Sequence, residues 1–345
     1  MKEVILMSKL KAITKKREFR TFLFLVIIFV IVGMVNSEFL SINNLQNSLK
    51  SSLLYIVLAI GLTFVLLTGN IDISVGGTLG LSAAVSGLIL KNGGSIIVAI
   101  LVAVLIGALI GFINGIGVAK LNISSFIMTL GMLEITRVIQ VIYTKGQWVE
   151  NLPTTFKQIS QVKIFGLNLL IIIVAIGVIL VQMYLSKSEK GRYFSAIGDN
   201  TDGAILLGVP VQRYKIYSFV ISGICAAIAG LIFASQIGFI STTAGMGIEM
   251  TVIASAVLGG VSLSGGVGTV VGASIGAVIM ISINSALVYM KIPAFWNDAI
   301  SGSLLITIVV ADALMARRSN KNIKKERLRA RVLKPEEVVT HAHAK

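Results

Sequence analysis

Long apolar runs separated by short polar breaks recur from Thr21 to about residue 315. A bilayer core about 30 Å thick takes roughly 20 apolar residues per spanning helix. The pattern therefore predicts ten spans, at approximately 21–36, 53–67, 76–90, 96–118, 126–143, 167–185, 216–234, 250–262, 268–290 and 299–315. The fold class is an all-α polytopic membrane protein of about ten transmembrane helices.

One break stands out. TGNIDISVGG, Thr68 to Gly77, lies between two greasy runs and spends an Asn, an Asp and three Gly residues there. Capping is one reading: the Asp72 and Ser74 oxygens accept from the free N–H groups of the helix that follows, while Gly76 and Gly77 admit a close neighbour. The other is a helix interrupted beside a water-lined path. A second pattern is an echo. Gly107, Gly111 and Gly115 repeat the four-residue spacing of Gly268, Gly272 and Gly276. Residues four apart share a helix face, and if spans 2–5 and 7–10 are repeats, the fourth and ninth spans correspond and run oppositely, as in inverted-repeat transporters. Small-xxx-small patterns are also common in any membrane helix, so both readings stand at this level.

Composition agrees with the pattern: 55% of the 345 residues are hydrophobic and 13% charged, with mean hydropathy +0.92. The formal charge of +15 would suggest nucleic acid if it were spread over a folded domain. It concentrates instead in the N-terminal segment, in a central loop (Lys187, Lys190, Arg192, Arg213, Lys215) and in the tail from Arg317. That is the positive-inside signature, and no nucleic-acid partner is expected. It divides the chain into a basic N-terminus (1–20), a transmembrane domain (21–316) with a cytoplasmic loop at 186–215, and a basic tail (317–345), both termini cytoplasmic. The first run follows a basic segment as a signal peptide would, but that segment is long and no A-x-A site follows, so it reads as a retained span. Trp148 and Trp296 fall at the outer interface, where amphipathic rings are enriched. Cys225 is the single cysteine and reads as a small packing residue. His341 and His343 read as solvated tail residues, and no metal site is expected.

Charge within the membrane is costly unless paired or wet, so each acid there is a functional candidate. The acids are Asp72, Glu134, Glu249, Asp298 and Asp312. Glu134 and Arg137, three apart on one helix, read as a structural ion pair. Asp298 and Asp312 lie near span ends, where water reaches. Glu249 opens the eighth span, either as a favourable anion at a helix N-terminus or as part of a path. Asn70, Ser124, Ser125, Thr129 and Asn284, with Asp72, Ser74 and Glu249, are the candidates for a path or gate. In the 186–215 loop, Asp199, Asn200, Thr201 and Asp202 are alternative N-caps for a short helix, Gly203–Leu207, ended by Gly208 with Pro210 just beyond. A short capped helix projecting from a bundle suits docking.

At these residues the sequence resembles the permease subunits of bacterial ATP-binding-cassette importers of the ribose type. The resemblance covers nearly the whole chain: GNIDISVGG, SSFIMTLGM from Ser124, KGRYFSAIGDN from Lys190 and EMTVIASAVLGGVSLSGGVGTVVG from Glu249. Asp202, Gly203, Ala204, Ile205, Leu206, Leu207 and Gly208 then look like the ATPase-coupling signature Glu-Ala-Ala-x-x-x-Gly, with Asp202 in place of Glu and Gly203 in place of the first Ala. Within the group, KGQWVENLP, FASQIGFI, GIEMTVIASAVLGG and KIPAFWNDAISG resemble permeases of autoinducer-2 import systems. The resemblance implies uptake of a small furanose-like molecule across the bacterial inner membrane. Its implied partners are a separate ATP-binding subunit, a second and different permease chain, an extracytoplasmic solute-binding protein, the lipid bilayer and a small polar ligand. Simple sugars such as ribose are the alternative cargo.

The chain has no Gly-Lys dipeptide, hence no phosphate-binding loop; no cofactor of its own is expected, ATP being bound by the partner. An ion-coupled secondary transporter titrating Asp72 or Glu249 is the chief rival. An intramembrane hydrolase lacks an H-E-x-x-H or G-x-S-x-G motif, and a channel lacks a repeated filter segment.

Overall fold

The computed structural model describes residues 17–164 and 166–293, then 296, 299–300, 302–303, 306–307 and 310. The tenth predicted span lies largely outside the described residues, as do Asp298, Asp312, residues 1–16 and the basic tail with its two histidines. In chain order the elements are α1 (Arg17–Val35), a 3-10 turn (Ser37–Leu40), α2 (Ile42–Leu67), α3 (Val75–Lys91), α4 (Ile96–Ala119) and α5 (Ser125–Thr144). Then come α6 (Thr154–Ile159), a two-residue hairpin of β1 (Lys163–Ile164) and β2 (Leu167–Asn168), α7 (Leu169–Lys187), α8 (Glu189–Asp199) and α9 (Thr201–Leu206). Three further helices follow among the described residues: α10 (Val211–Ile237), α11 (Ile248–Leu258) and α12 (Val270–Tyr289). Six of them, α2, α4, α5, α7, α10 and α12, are long and apolar enough to cross a membrane, and α1, α3 and α11 are shorter apolar helices. The fold is therefore all-α and polytopic. The end of the bundle carrying α8 and α9 is called the basic end below, and the opposite one the hairpin end.

Two helices depart from the predicted spans. α2 begins at Ile42 rather than near residue 53. Its first turns are polar (Asn43, Asn44, Gln46, Asn47), but protein rather than lipid surrounds part of them: Ser41 caps the helix by accepting from the Asn44 N–H, and the Asn44 amide donates to the Phe39 carbonyl. α11 stops at Leu258 instead of reaching 262, because Gly259 and Gly260 end it. Its 11 residues rise only about 16 Å, half a bilayer. The 186–215 loop, read from sequence as one short helix, also contains α8, an amphipathic helix whose Phe194 and Ile197 are buried.

α10 is the axis of the bundle. It packs along α4, α2 and α3, and small residues let it do so. A Cβ on Gly223 would run into the Gly107 carbonyl, one on Gly111 into the Phe219 carbonyl, and one on Gly230 into that of Leu79. Where α2 crosses α10, Gly61 lies against Ser222 and Cys225. With no hydrophobic drive between helices in lipid, such close packing is the main source of association. The outward faces are correspondingly greasy: Ile97, Leu101, Leu105 and Leu109 on α4, and Ile173, Ile176, Ile179 and Leu180 on α7, are exposed.

The contacts pair the two halves of the chain: α4 lies along α10 while α12 lies along α2, and α3 packs on α4 as α11 packs on α12, an exchange that a repeat of either orientation gives. The glycine echo is not what carries it. Gly107, Gly111 and Gly115 receive α10, whereas Gly272 and Gly276 receive Gly259 and Ser255 at the end of α11, and Gly268 precedes α12.

Gly223→Val is expected to lower the thermal unfolding midpoint and the amount of intact protein in the membrane, since overpacking a tight contact costs about 1–3 kcal/mol or more. Gly177→Ala on α7, where nothing lies within 4 Å, is expected to change neither. Fluorescence-detected size exclusion after a heat ramp compares the two.

Candidate functional site

Two groups of polar interior residues come together inside the bundle, and a further candidate element projects outside it. The first cluster answers the question raised by TGNIDISVGG. α2 ends at Thr68, Gly69 takes φ +73°, and the backbone runs irregularly to Ser74 before α3 begins. Irregular backbone at membrane depth must find its partners within the protein. The Ile71 N–H donates to Ser125 Oγ (3.2 Å) and the Ile73 N–H to Thr129 Oγ1 (3.1 Å), both on α5. Asn70 donates to the Thr68 carbonyl (3.1 Å) and hydroxyl (3.0 Å).

Asp72, 1% exposed, is the hub. Its Oδ1 accepts from the Ser74 N–H (3.0 Å) and hydroxyl (2.6 Å), and its Oδ2 accepts from Ser222 Oγ of α10 (2.7 Å). Ser74 Oγ in turn accepts from Asn114 Nδ2 of α4 (2.9 Å). A buried carboxylate is tolerated when its lone pairs are filled by donors, and here one side chain ties the loop to α10 directly and to α4 through Ser74.

The capping reading needs correction. Ser74 occupies the N-cap position of α3 but has helical φ and ψ (−68°, −7°) and makes no cap bond; a capping side chain needs extended backbone to turn back on the helix. Asp72 receives the N–H of Ser74 itself, ahead of the helix. The glycines do admit neighbours: a Cβ on Gly76 would meet Glu249 Oε2 and the Gly245 carbonyl, and one on Gly77 would meet Thr136 Oγ1. Of the path candidates, Asn70, Asp72, Ser74, Ser125 and Thr129 thus come together, with their polar atoms engaged in holding the loop. Ser124 is exposed at the start of α5 with no cap bond. Asn284 stands apart, half-buried on α12.

The second cluster lies halfway along α5. Arg137 donates from Nη1 to Glu134 Oε1 (2.9 Å) and from Nη2 to Glu249 Oε1 (2.8 Å). The predicted pair is therefore a triad that joins α5 to α11. Glu249 is 5% exposed and sits in the first turn of α11, and its Oε2 has no hydrogen-bond partner. The chain reaches it by a non-helical segment from Gly238 to Gly247, with Gly238, Gly245 and Gly247 at φ +84°, +87° and +81°. That segment pairs with Val149 at Ile240, offers the Ser241 and Thr242 carbonyls to Gln140 Nε2 (3.2 and 3.4 Å), and passes close over Gly80 and Gly76 of α3. A turn-rich segment thus precedes the half-length α11. The polar stretch GFISTTAGMG between two apolar runs was the available signal for it, as Asn114 and Ser222 in apolar helices were for the hub.

The third element projects from the basic end. Of the four alternative caps, Asn200 is the one used: its side chain accepts from the Gly203 N–H (2.9 Å). α9 therefore starts at Thr201 rather than Gly203 and ends at Leu206, with Leu207 as C-cap. Gly208 takes φ +80°, and the Val209 N–H closes the end on the Ala204 carbonyl (3.0 Å). Ala204 is buried, Asp202 is exposed, and Leu206 and Leu207 are 87% and 85% exposed. α9 follows α8, whose Phe194 makes edge contacts with Phe64 of α2 (5.0 Å) and Tyr214 of α10 (5.1 Å). Gly198 of α8 lies against the Leu67 carbonyl and Gly265, and the Gly266 N–H donates to that same carbonyl (3.0 Å).

Comparison with known proteins adds the following. The family model described as branched-chain amino acid transport system / permease component matches residues 44–309. The autoinducer 2 import system permease protein LsrC of Salmonella typhi is 41% identical over 338 residues, 96% of this chain and 97% of that protein. Its namesake in Escherichia coli O9:H4 (strain HS) is 40% identical over 326 residues, 94% of this chain and 95% of that one. No solved structure matches.

Asp72→Ala would strand the Ser222 hydroxyl and the Ser74 N–H, each buried group left unpaired costing about 1–3 kcal/mol. The variant is expected to unfold at a lower temperature in detergent, with Asp72→Asn, which keeps one acceptor, falling between it and the parent. An Asp72→Ala variant that melts with the parent would show that this carboxylate does not hold the loop.

Proposed function

The chain belongs to the family of branched-chain amino acid transport system permease components, and from that premise we propose that it is the membrane-spanning subunit of a binding-protein-dependent, ATP-driven importer of autoinducer 2. It is a transport component rather than an enzyme. The cargo is taken from the names of its relatives, which align with nearly the full length of the chain; ribose or another simple sugar is the alternative. In this reading the protein sits in the bacterial inner membrane with the basic end and both termini in the cytoplasm. It is paired with a second, different permease chain and fed by an extracytoplasmic binding protein.

The observation that carries the mechanism is the cap-to-cap order of α9 combined with its exposure. Two leucines more than four-fifths exposed at the end of a six-residue helix are uncovered among the described residues, and a surface of that kind suits a protein partner. A separate ATPase subunit, which supplies the nucleotide chemistry this chain lacks, takes Ile205, Leu206 and Leu207 into a groove of its own. Closure of the ATPase on ATP then moves α9. Force passes through α8 to α2 and α10 by way of Phe194, Phe64 and Tyr214, and to the two inner loops by way of Gly198.

The titratable groups weigh against an ion-coupled carrier. Asp72 is enclosed by three donors, and Glu249 is held by Arg137.

Leu206→Asp with Leu207→Asp, and separately Gly208→Val, are expected to leave the protein in the membrane and abolish uptake of labelled autoinducer 2. Cells lacking their own importer and supplied with the whole system report it. An ATPase subunit without its phosphate-loop lysine is expected to stop uptake in the unaltered complex, and excess ribose to compete poorly. Uptake that survives the dead ATPase sinks the mechanism, whereas strong competition by ribose moves the cargo to simple sugars.

A further inference from the structure

α5 has an outward face unlike the others. On α4 the exposed positions are all apolar, and on α7 they are apolar from Ile173 to Met183, with polar ones only in the last turn (Tyr184, Ser186, Lys187). On α5 the stripe Ile127, Leu130, Gly131, Glu134 and Val138, spaced three and four apart and hence on one face, carries a carboxylate at its middle. Glu134 is the tenth of the 20 residues of α5, about 15 Å from either end. Its side chain is 63% exposed, and that of Arg137 is 25% exposed. One turn before Glu134, Gly131 opens onto empty space, with nothing within 4 Å of where its Cβ would be.

This face meets neither lipid nor a dry protein surface at low cost. An ionised carboxylate in hydrocarbon is costly, and such groups face a bundle interior or a water-filled cavity. Pairing does not remove the problem, because Glu134, Arg137 and Glu249 together carry two negative charges and one positive. An uncompensated charge in a dry interface costs several kcal/mol. Water at this face satisfies the exposed Glu134 carboxylate and the accessible N–H groups of Arg137, while Glu249 stays buried behind them. The irregular segment 238–247 ends at this triad, and non-helical backbone at membrane depth is found where protein or a water-lined cavity surrounds it.

We propose that the Ile127–Val138 stripe of α5 lines the aqueous translocation path, and that Glu134 and Arg137 are the side chains that contact a neutral polyhydroxylated solute halfway across the membrane. A carboxylate is acceptor-only and a guanidinium donor-only. The free Glu134 oxygen takes hydroxyl hydrogens while unused Arg137 N–H groups give to hydroxyl oxygens, which matches a pair of adjacent hydroxyls. Glu249 is a positioning residue that holds Arg137 from below. The path candidates at 70–74 and 125–129 serve the loop, so the polar lining is supplied from the other side of α5's sequence. This inference rests on the importer reading for the direction of transport, but not for the existence of the path.

Accessibility tests the path without requiring import. In the assembled complex in membrane vesicles, Gly131→Cys, which leaves the triad intact, is expected to react with a charged, membrane-impermeant maleimide. Leu105→Cys on α4 and Ile176→Cys on α7 should not react. Glu134→Gln is expected to lower the maximal rate of uptake at least tenfold at unchanged protein level, and Leu105→Gln to leave it unchanged. Gly131→Cys as inert as the two control positions in every nucleotide state overturns the path. Labelling with an unaltered maximal rate for Glu134→Gln overturns the assignment of the contact. A complex of unaltered chains that imports nothing, while Gly131→Cys still labels, would count against the importer reading and leave the path standing.

Discussion

Within hydrocarbon no water completes a hydrogen bond, so every stretch of this chain that leaves the helix must be supplied with partners by other helices. Two of the non-helical stretches, 68–74 and 238–247, are supplied in this way by side chains of other helices. Ser125 and Thr129 of α5 serve the first from one side; Asp72, itself secured by Ser222 of α10, serves it from within. Gln140 of α5 and Arg137 serve the second and the helix that follows it. α5 thus holds both irregular segments, one near each half of its length, on the faces it turns to the bundle.

Such partners reach each other only if the backbones come close, which is the work of the small residues. Gly76, Gly77 and Gly80 on α3 receive a carboxylate, a threonine hydroxyl and a backbone carbonyl at distances no side chain would allow. Gly107, Gly111 and Gly223 do the same where α4 crosses α10. Side-chain hydrogen bonds across these contacts are few but deep, so the bundle's rigidity is concentrated where α2, α3, α4 and α10 meet. The lipid-facing rows of α4 and α7 contribute solubility in the bilayer rather than specificity.

The basic end is connected to this interior by short-range contacts. α9 is capped at both ends and stands on α8, α8 touches α2 and α10 through aromatic edges, and Gly198 lies between the loops that follow α2 and α11. A displacement at α9 therefore meets stiff elements on every route inward. The two loops beside Gly198 are the one that follows α2 and the one after α11 that carries Gly265 and Gly266; the 238–247 segment lies before α11 and is not one of them.

The all-α class, most of the described spans and the short capped helix after α8 were legible in the sequence because each rests on local signals: runs of apolar residues, and an Asn cap three residues before a glycine amide. Motif order carried the family resemblance for the same reason. The glycines at 76 and 77 were rightly read as admitting neighbours, since only the absence of a side chain was needed to say so. What the sequence could not determine was which neighbours. Asp72 meets Ser222 across 150 residues and Arg137 meets Glu249 across 112, so a residue taken for a helix cap became the hub of a loop. The same folding turned a local ion pair into a bridge between helices. The length of α2 and the shortness of α11 escaped for a related reason: a polar helix start is stable when protein covers it, and an apolar run crosses nothing when glycines end it. Exposure of Glu134 on the outward face of α5 is likewise a property of packing, because periodicity says which residues share a face while only the neighbours decide whether that face is covered.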